Sequence, residues 1–376
     1  MQFIATCKLG LESVVAMELR ALHITVDEVL DARVLFSGDD LSLTRALLWL
    51  RCAERVLLVV GSFPATSFDE LFEGVKALPW KQYLKRDANI HVNGKSAKSA
   101  LFSVSDCQSI TKKAIVESLR QSYRTQLLPE TGDEVIVEVG LFRDVATLAL
   151  DACGAGLSRR GYRTWNVAAP LAESLAAGIL LLSRYRNGVP LIDPMCGSGT
   201  FPIEAAMIAQ RRAPGLSREF AAENWHFLSP SAFQAAKEEA QDLIDMTPVD
   251  IEGSDIDAHS IELCKRHAKK AGVMLRWAVR PLKDLPAKSG GGLIAVNPPY
   301  GERLLNKKEA QSLYQEMRQV FSRLPGYKQA IITADREFER VYGQRADKRR
   351  KLTNGGMPCT LYQYFPQNQT DRRAEE

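Results

Sequence analysis

At 376 residues, 45% of them hydrophobic and 25% charged, the chain has the size for two or three buried cores and the composition of an ordinary soluble protein. Its net charge of +4 is compatible with a nucleic-acid partner but far too weak to require one. No apolar run approaches the roughly 20 residues of a membrane span, and the start MQFIATCKLGLES lacks a signal-peptide layout, so no membrane association and a cytoplasmic location are expected.

In chain order, FIATCKLG reads as a strand and LESVVAMELRAL as a helix with Leu11, Val14, Val15, Met17, Leu19 and Leu22 near one stripe. A strand pair in VDEVLDARVLFSGD and a helix DLSLTRALLWLRCAERV follow, with Asp40 or Ser42 as the expected cap. These elements make an α+β unit over residues 1–55. A second, over 56–152, runs RVLLVVGSFPA, the helical SFDELFEGVKALPWKQYL, NIHVNGKSA, a helix in SVSDCQSITKKAIVESLRQSYRTQ, and two strands around a turn at Arg143-Asp144. Residues 153–169 link it to the rest.

From residue 170 to 376, helices alternate with apolar strands: LAESLAAGILLLSRY, VPLIDPMC, GTFPIEAAMIAQRR, VDIEGSDID, AHSIELCKRHAKKAG, GLIAVNPPY, EAQSLYQEMRQVFSRL and YKQAIITAD. Such alternation builds βαβ units and a mostly parallel sheet. Asn354-Gly355-Gly356 between two alternating runs predicts a terminal antiparallel hairpin. The expected fold class is thus α/β, a Rossmann-like methyltransferase sheet preceded by two α+β domains. Seven scattered cysteines without a CxxC pair, and five dispersed histidines, support neither a disulfide framework nor a metal site.

Two strand ends carry ligand chemistry. In LIDPMCGSGTFPIEAAMIA, Gly197 and Gly199 allow a tight turn and close approach of a ligand to the backbone. The phosphate-loop and dinucleotide patterns both fail here: no lysine follows Gly199, and Pro202 stands near the third-glycine position. Asp193 suits a ligand bearing a cation, such as the ammonium of S-adenosylmethionine. In GSDID, Asp255 is placed to accept from ribose hydroxyls and Ile256 offers adenine an apolar face; Asp255 or Asp257 can also cap the next helix.

A third strand end, VNPPYGERL, carries the reaction chemistry. The lone pair of an exocyclic amine is delocalised into its ring, and two acceptors that take both N–H bonds draw the nitrogen toward tetrahedral geometry. Asn297 supplies one acceptor and the Pro298 carbonyl the other, its direction fixed by proline φ. Tyr300 supplies a stacking face for a base removed from its helix. Catalysis would then be positioning and preorganised electrostatics.

These residues resemble the amino-methyltransferases with an Asn/Asp-Pro-Pro-Tyr/Phe motif, in whose RNA branch NPPYGERL and DPMCGSGT are near-signature strings. LFEGVKALPW, VNGKSAKSALFSVSDCQSITKKAIVESL and GAGLSRRGYR resemble a THUMP domain (an RNA-binding module) behind a ferredoxin-like domain. The resemblance covers essentially the whole chain and is closest to standalone bacterial enzymes assigned to guanine N2 of 23S ribosomal RNA. It implies S-adenosylmethionine as donor, RNA (naked or in an assembly intermediate) as acceptor, and cofactor contacts from Asp193, Cys196, Gly197, Gly199, Thr200 and Asp255. APLAESLAAGILL resembles the family's segment at the cofactor's methionine end, which brings in Pro170. Relatives place an acid after the third strand against adenine; here Arg280-Pro281 occupies the place, and Asp284 is the nearest candidate.

The THUMP resemblance gives Lys95, Lys98, Lys112 and Lys113 a role as phosphate contacts, set against a plain solvated lysine face. RADKRRK (345–351) is another basic stretch, read as an RNA contact or a loop before the hairpin. Pro358-Cys359 is similar to the nucleophile of cytosine C5 methyltransferases, but a place within the terminal strand makes Cys359 a packing residue. Adenine N6, or guanine N2 in transfer RNA, is the alternative acceptor, and an RNA-binding ribosome-assembly factor the non-enzymatic alternative.

Overall fold

The computed structural model describes residues 1–163, 171–299 and 307–366. The chain divides into two compact units, one of residues 1–7, 16–157 and 218–239, the other of 8–15, 158–217 and 240–376. In the first half the elements are β1 (Gln2–Cys7), α1 (Glu12–Ala21), β2 (Thr25–Leu30), β3 (Arg33–Ser37), α2 (Asp40–Trp49), β4 (Ala53–Pro64), α3 (Phe68–Lys76), α4 (Trp80–Tyr83), β5 (Asn89–Ala97), α5 (Val104–Tyr123), β6 (Glu134–Phe142) and β7 (Val145–Asp151). Their strands form one sheet in the order β2-β3-β1-β4-β7-β6-β5. The two expected α+β units therefore share a sheet, because the twelve-residue β4 pairs with β1 from Ala53 to Leu58 and with β7 from Leu57 to Pro64.

Local chemistry sets the element ends. The cap of α2 is Asp39, whose carboxylate accepts the Ser42 N–H at 2.8 Å, rather than Asp40 or Ser42. That helix stops at Trp49, short of the expected Val56, because residues from Ala53 onward pair with β1. Ser67 and Glu70 form a reciprocal capping box at α3, and Pro79 separates α3 from α4. At the β6–β7 turn Arg143 and Asp144 take φ of 50° and 61°, the left-handed pair a two-residue hairpin needs.

In the second half come α6 (Glu173–Leu182), β8 (Leu191–Asp193), α7 (Thr200–Ala209), α8 (Pro230–Asp242), β9 (Ile251–Asp255), α9 (Ala258–Ala271), β10 (Arg276–Val279), β11 (Gly292–Val296), α10 (Lys307–Phe321), β12 (Tyr327–Thr333), α11 (Phe338–Tyr342), β13 (Lys348–Asn354) and β14 (Met357–Tyr364). The sheet order is β10-β9-β8-β11-β12-β14-β13, parallel through β12 and antiparallel in the last two strands. This is the expected parallel sheet with a terminal hairpin, and Gly355 and Gly356, at φ 56° and 84°, make its turn. Ile192, Ile294, Val296, Tyr314, Met317, Phe321 and Phe338 are among the residues of its main core. Residues 218–239, inside the stretch expected to form the last domain, group with the first unit.

Candidate active site

The strand order turns at β8: the chain proceeds to β9 and β10 on one side, then returns to β11 and β12 on the other. Such a switch point opens a crevice at the C-terminal strand ends. Here Asp193 closes β8, Asp255 closes β9, and Asn297 follows β11, with Asp193 paired to Gly253 and Ile192 to Ile294. All three border one cleft of about 1140 Å³. That exceeds the range of roughly 300–1,000 Å³ typical of a single small-molecule site.

Asp193 is 2% exposed, and one carboxylate oxygen accepts the Met195 N–H at 3.2 Å. Burial, with the Asp255 charge nearby, pushes its carboxyl well above the usual range. A buried carboxylate raised in this way gains most from a cationic ligand. Gly197, at φ 52°, has open space where a Cβ would stand and lines the cleft. Gly199, at φ 85°, is different: a Cβ there would lie 2.9 Å from Trp277 Cη2 and 3.1 Å from Cys264 Sγ, and the residue is not among those lining the cleft. One glycine leaves room for a ligand, the other lets the loop pack against α9 and β10.

Thr200 also lines the cleft, and its Oγ1 accepts a 2.6 Å bond from Arg163, which reaches the Leu171 carbonyl as well at 3.1 Å. His267, buried, puts Nδ1 3.1 Å from the Ser198 carbonyl, which requires the proton on Nδ1. Cys196 Sγ lies 3.8 Å from Cys264 Sγ; that hydrogen bond and burial hold the Cys196 thiol well above its ordinary value, so it lines the cleft as a protonated group and not as a nucleophile.

The two acids of GSDID divide the roles left open by sequence. Asp257 caps α9 by accepting the His259 and Ser260 N–H groups at 3.1 and 3.0 Å. Asp255 accepts Gly197 N–H at 2.8 Å on Oδ2 and Asp257 N–H at 3.0 Å on Oδ1, and each oxygen keeps a second lone pair. Beside it Ile256 is 72% exposed on the cleft wall, an apolar side chain left for a ligand to cover. The structure does not bring Asp284 to the cleft. Buried Leu282 and Leu285 anchor that short turn in the core and leave Asp284 exposed outside the lining, while Pro281, Leu282 and Lys283 border the cleft.

Asn297 lines the cleft, and its Oδ1 is buried with no hydrogen-bond partner among the described residues. Leaving such an acceptor unmet costs about 1–3 kcal/mol, so it marks a place where a donor is due. Pro298 and Pro299 follow it on the wall. Pro170 and Tyr300 lie outside the described residues.

The four lysines separate into two groups. Lys95 is exposed, 4.0 Å from Glu138, and Lys98 Nζ stands 5.9 Å from the centroid of Phe142. Arg33 and Arg143 approach the same ring at 5.6 and 5.2 Å, a gathering of cations that sequence reading missed because Arg33 is remote in the chain. Lys112 instead pairs with Glu130 at 3.2 Å, and Lys113 lies over Phe72 at 5.8 Å. The RADKRRK stretch is no free loop: its last four residues open β13, where Arg349 pairs with Glu339 at 2.8 Å and Arg350 bonds the Gly10 carbonyl at 2.6 Å. Cys359 is buried within β14, opposite Leu352. Sequence reading also missed the rest of the cleft wall, including Ser312, Leu313 and Glu316 of α10 and Asn354, Gly355 and Met357 of the hairpin turn. Among the described residues no group of three His, Cys, Asp or Glu could hold a metal ion, and no helix is long and apolar enough to cross a membrane.

Comparison with known proteins agrees with this architecture. The RMKL-like methyltransferase domain matches residues 160–363, the RlmL ferredoxin-like domain residues 2–57, and the THUMP domain residues 65–151. YpsC of Bacillus subtilis is 41% identical over 99% of this chain and 98% of its own. Ribosomal RNA large subunit methyltransferase K/L of Syntrophotalea carbinolica is 36% identical over 96% of this chain, which spans 53% of that longer protein. Among solved structures, SMU.472 in complex with S-adenosylhomocysteine (SAH) is 41% identical with a TM-score of 0.92, covering 98% of both chains. A Listeria monocytogenes protein whose name predicts an N6-adenine-specific DNA methylase is 44% identical, also at 0.92, covering 97% of this chain and 96% of its own. With its strand-end acids, glycine loop and amide gathered on one cleft, the chain belongs to the RMKL-like methyltransferase family, and is an S-adenosylmethionine-dependent RNA methyltransferase.

Proposed function

We propose that the chain methylates the exocyclic N2 amine of a guanosine in 23S ribosomal RNA. The unpartnered, buried Oδ1 of Asn297 on the wall of the cofactor cleft carries the reading. S-adenosylmethionine, when bound, supplies an electrophilic methyl group on a sulfonium. Asp193 holds the ligand's ammonium, the free lone pairs of Asp255 take its ribose hydroxyls, Ile256 covers its adenine, and Gly197 and Cys196 leave it room. Thr200 borders the same space, and Gly199 acts by holding the loop.

Asn297 Oδ1 and the Pro298 carbonyl accept the two N–H bonds of the target amine and free its lone pair for in-line attack. Asn is neutral, so it works as a fixed dipole and not as a strong base. Pro170 and Tyr300 keep the roles given above, at the cofactor's methionine end and as a stacking face for the base. On the THUMP-bearing unit, Lys95 and Lys98, joined by Arg33 and Arg143, are assigned to RNA phosphates. Lys112, already paired with Glu130, is a weaker candidate, with Lys113 beside it. We place the RNA-binding domain at residues 56–152 and the methyltransferase domain at 170–376.

An amide clamp serves adenine N6 as well, the activity in the Listeria protein's name. The THUMP match and the ribosomal relative favour RNA and ribosomal guanine. Mass-spectrometric mapping of methylated nucleosides in ribosomal and transfer RNA from a deletion strain tests this. One N2-methylguanosine missing from 23S RNA is expected; loss of an N6-methyladenosine instead overturns the choice of base. Failure of the purified chain to bind S-adenosylmethionine at millimolar concentration would leave the assembly-factor reading.

A further inference from the structure

We propose that the turn of the β13–β14 hairpin is the target-base subsite, in which the Asn354 carboxamide reads the N1–H and O6 edge of guanine and Met357 covers the ring. This rests on the guanine-N2 reading above. The register alone places the turn. The last β12–β14 pair is Thr333 with Thr360, yet β13 and β14 run on through Leu352–Cys359, Thr353–Pro358 and Asn354–Met357. Three further pairs at roughly 3.4 Å per residue carry the hairpin about 10 Å past the end of β12. The overhang is on the edge where Asn297 sits, since Val296 pairs with Ile331, two residues before Thr333. Asn354 and Met357, directly opposite each other, both line the cleft, and Met357 is 49% exposed. Asp255, Ile256, Pro281 and Leu282 line it from the other side of β8, on β9 and beyond β10. The cofactor residues and the hairpin thus lie on opposite sides of Asn297 along the sheet.

The Asn354 side chain is half-buried and has no hydrogen bond or ion pair among the described residues. A carboxamide offers one acceptor and two donors on adjacent atoms. When guanine is held by its 2-amine, the neighbouring atoms are N1–H, a donor, and O6, an acceptor, so Asn354 makes two bonds. When adenine is held by its 6-amine, the neighbours along that edge are N1, an acceptor, and C2–H, so only one bond forms and the amide oxygen goes unpaired. A bidentate side-chain–base pair discriminates by about 1–3 kcal/mol, or roughly 5-fold to 150-fold.

The turn tolerates the test, because Gly355 and Gly356 carry its positive φ and Asn354 does not. The substrate is an RNA oligonucleotide containing the mapped guanosine, and a second in which 2-aminopurine replaces it, keeping the 2-amine but lacking N1–H and O6. The wild-type chain is expected to prefer guanine by roughly 5-fold to 150-fold in kcat/KM. Asn354→Ala is expected to bring the preference within about threefold, with melting temperature and S-adenosylhomocysteine affinity unchanged. A preference that survives in Asn354→Ala overturns the subsite, as does a wild-type chain that methylates both equally. A wild-type chain inactive on the guanosine oligonucleotide but active on adenosine would instead overturn the guanine-N2 reading itself.

Discussion

Asn297 and Asp193 show how a side chain's burial specifies what it awaits. The Asn297 acceptor makes no bond among the described residues, and the role proposed above assigns it to the reacting amine. Asn297→Ala should lower kcat by about 10²–10³-fold, the usual cost of one preorganised polar group, while S-adenosylhomocysteine affinity stays within a few fold. Calorimetry alongside turnover checks this, and joint loss of both would move Asn297 into the cofactor site. Asp193 makes the complementary case through pH. Burial raises its carboxyl in the folded chain, so the folded state holds that proton to higher pH than the unfolded state does. Ligand-free stability therefore falls as pH rises from the ordinary carboxylate range to the raised value, where the loss is complete. Asp193→Asn should remove that part of the slope in melting scans and weaken ligand binding at least about tenfold, since a charge-assisted hydrogen bond contributes roughly 1.5–3 kcal/mol. An unaltered slope would mean the carboxyl is not held up by burial.

The loop between β8 and α7 separates two uses of glycine that look alike in sequence. Gly199→Ala meets Trp277 and Cys264 at positive φ and should cost stability and ligand binding together. Gly197→Ala meets nothing, so it should cost only about 1 kcal/mol of left-handed strain while narrowing the cleft. Thermal melts paired with ligand titrations separate the two, and equal stability losses would contradict the distinction. Legibility of the elements followed the same physics. The hairpin could be read because two successive positive-φ residues admit few sequences, and Asn354-Gly355-Gly356 is one. The DPMCGSGT, GSDID and NPPY strand ends were legible because short apolar strands bounded by acids and glycines have few other uses. The end of α2 was not: LRCAERV carries no stop signal, and pairing of β4 with β1 decided it. The helix α8 went unread, and the four-residue β10, too short for a period, was located only through the resemblance. Asp284 rested on analogy, and two buried leucines turned it away.

Across the whole molecule, function is split between surfaces that the chain builds from distant segments. Arg33 and Arg143, 110 positions apart, meet over Phe142, an approach no local pattern announces. Replacing both with Ala should weaken RNA binding and lower the salt slope by about 0.7–0.9 for each phosphate no longer neutralised, leaving S-adenosylhomocysteine affinity alone. The Lys112→Ala, Lys113→Ala pair should do less, because Glu130 already neutralises Lys112. Binding isotherms from low to moderate salt decide, and a slope unchanged in the arginine variant would remove that cluster from the RNA face. The return of residues 218–239 to the first unit bears on how the protein can be taken apart. That segment brings Phe227 edge-on to Tyr83 at 5.2 Å and Glu239 to Arg45 at 2.8 Å, so a fragment ending at residue 157 lacks an integral piece of its own fold. Grafting the RNA-binding half onto another catalytic unit by simple end-to-end fusion should therefore yield an aggregating chimera, and the transplant should succeed only when 218–239 travels with it as a second, separately inserted strip.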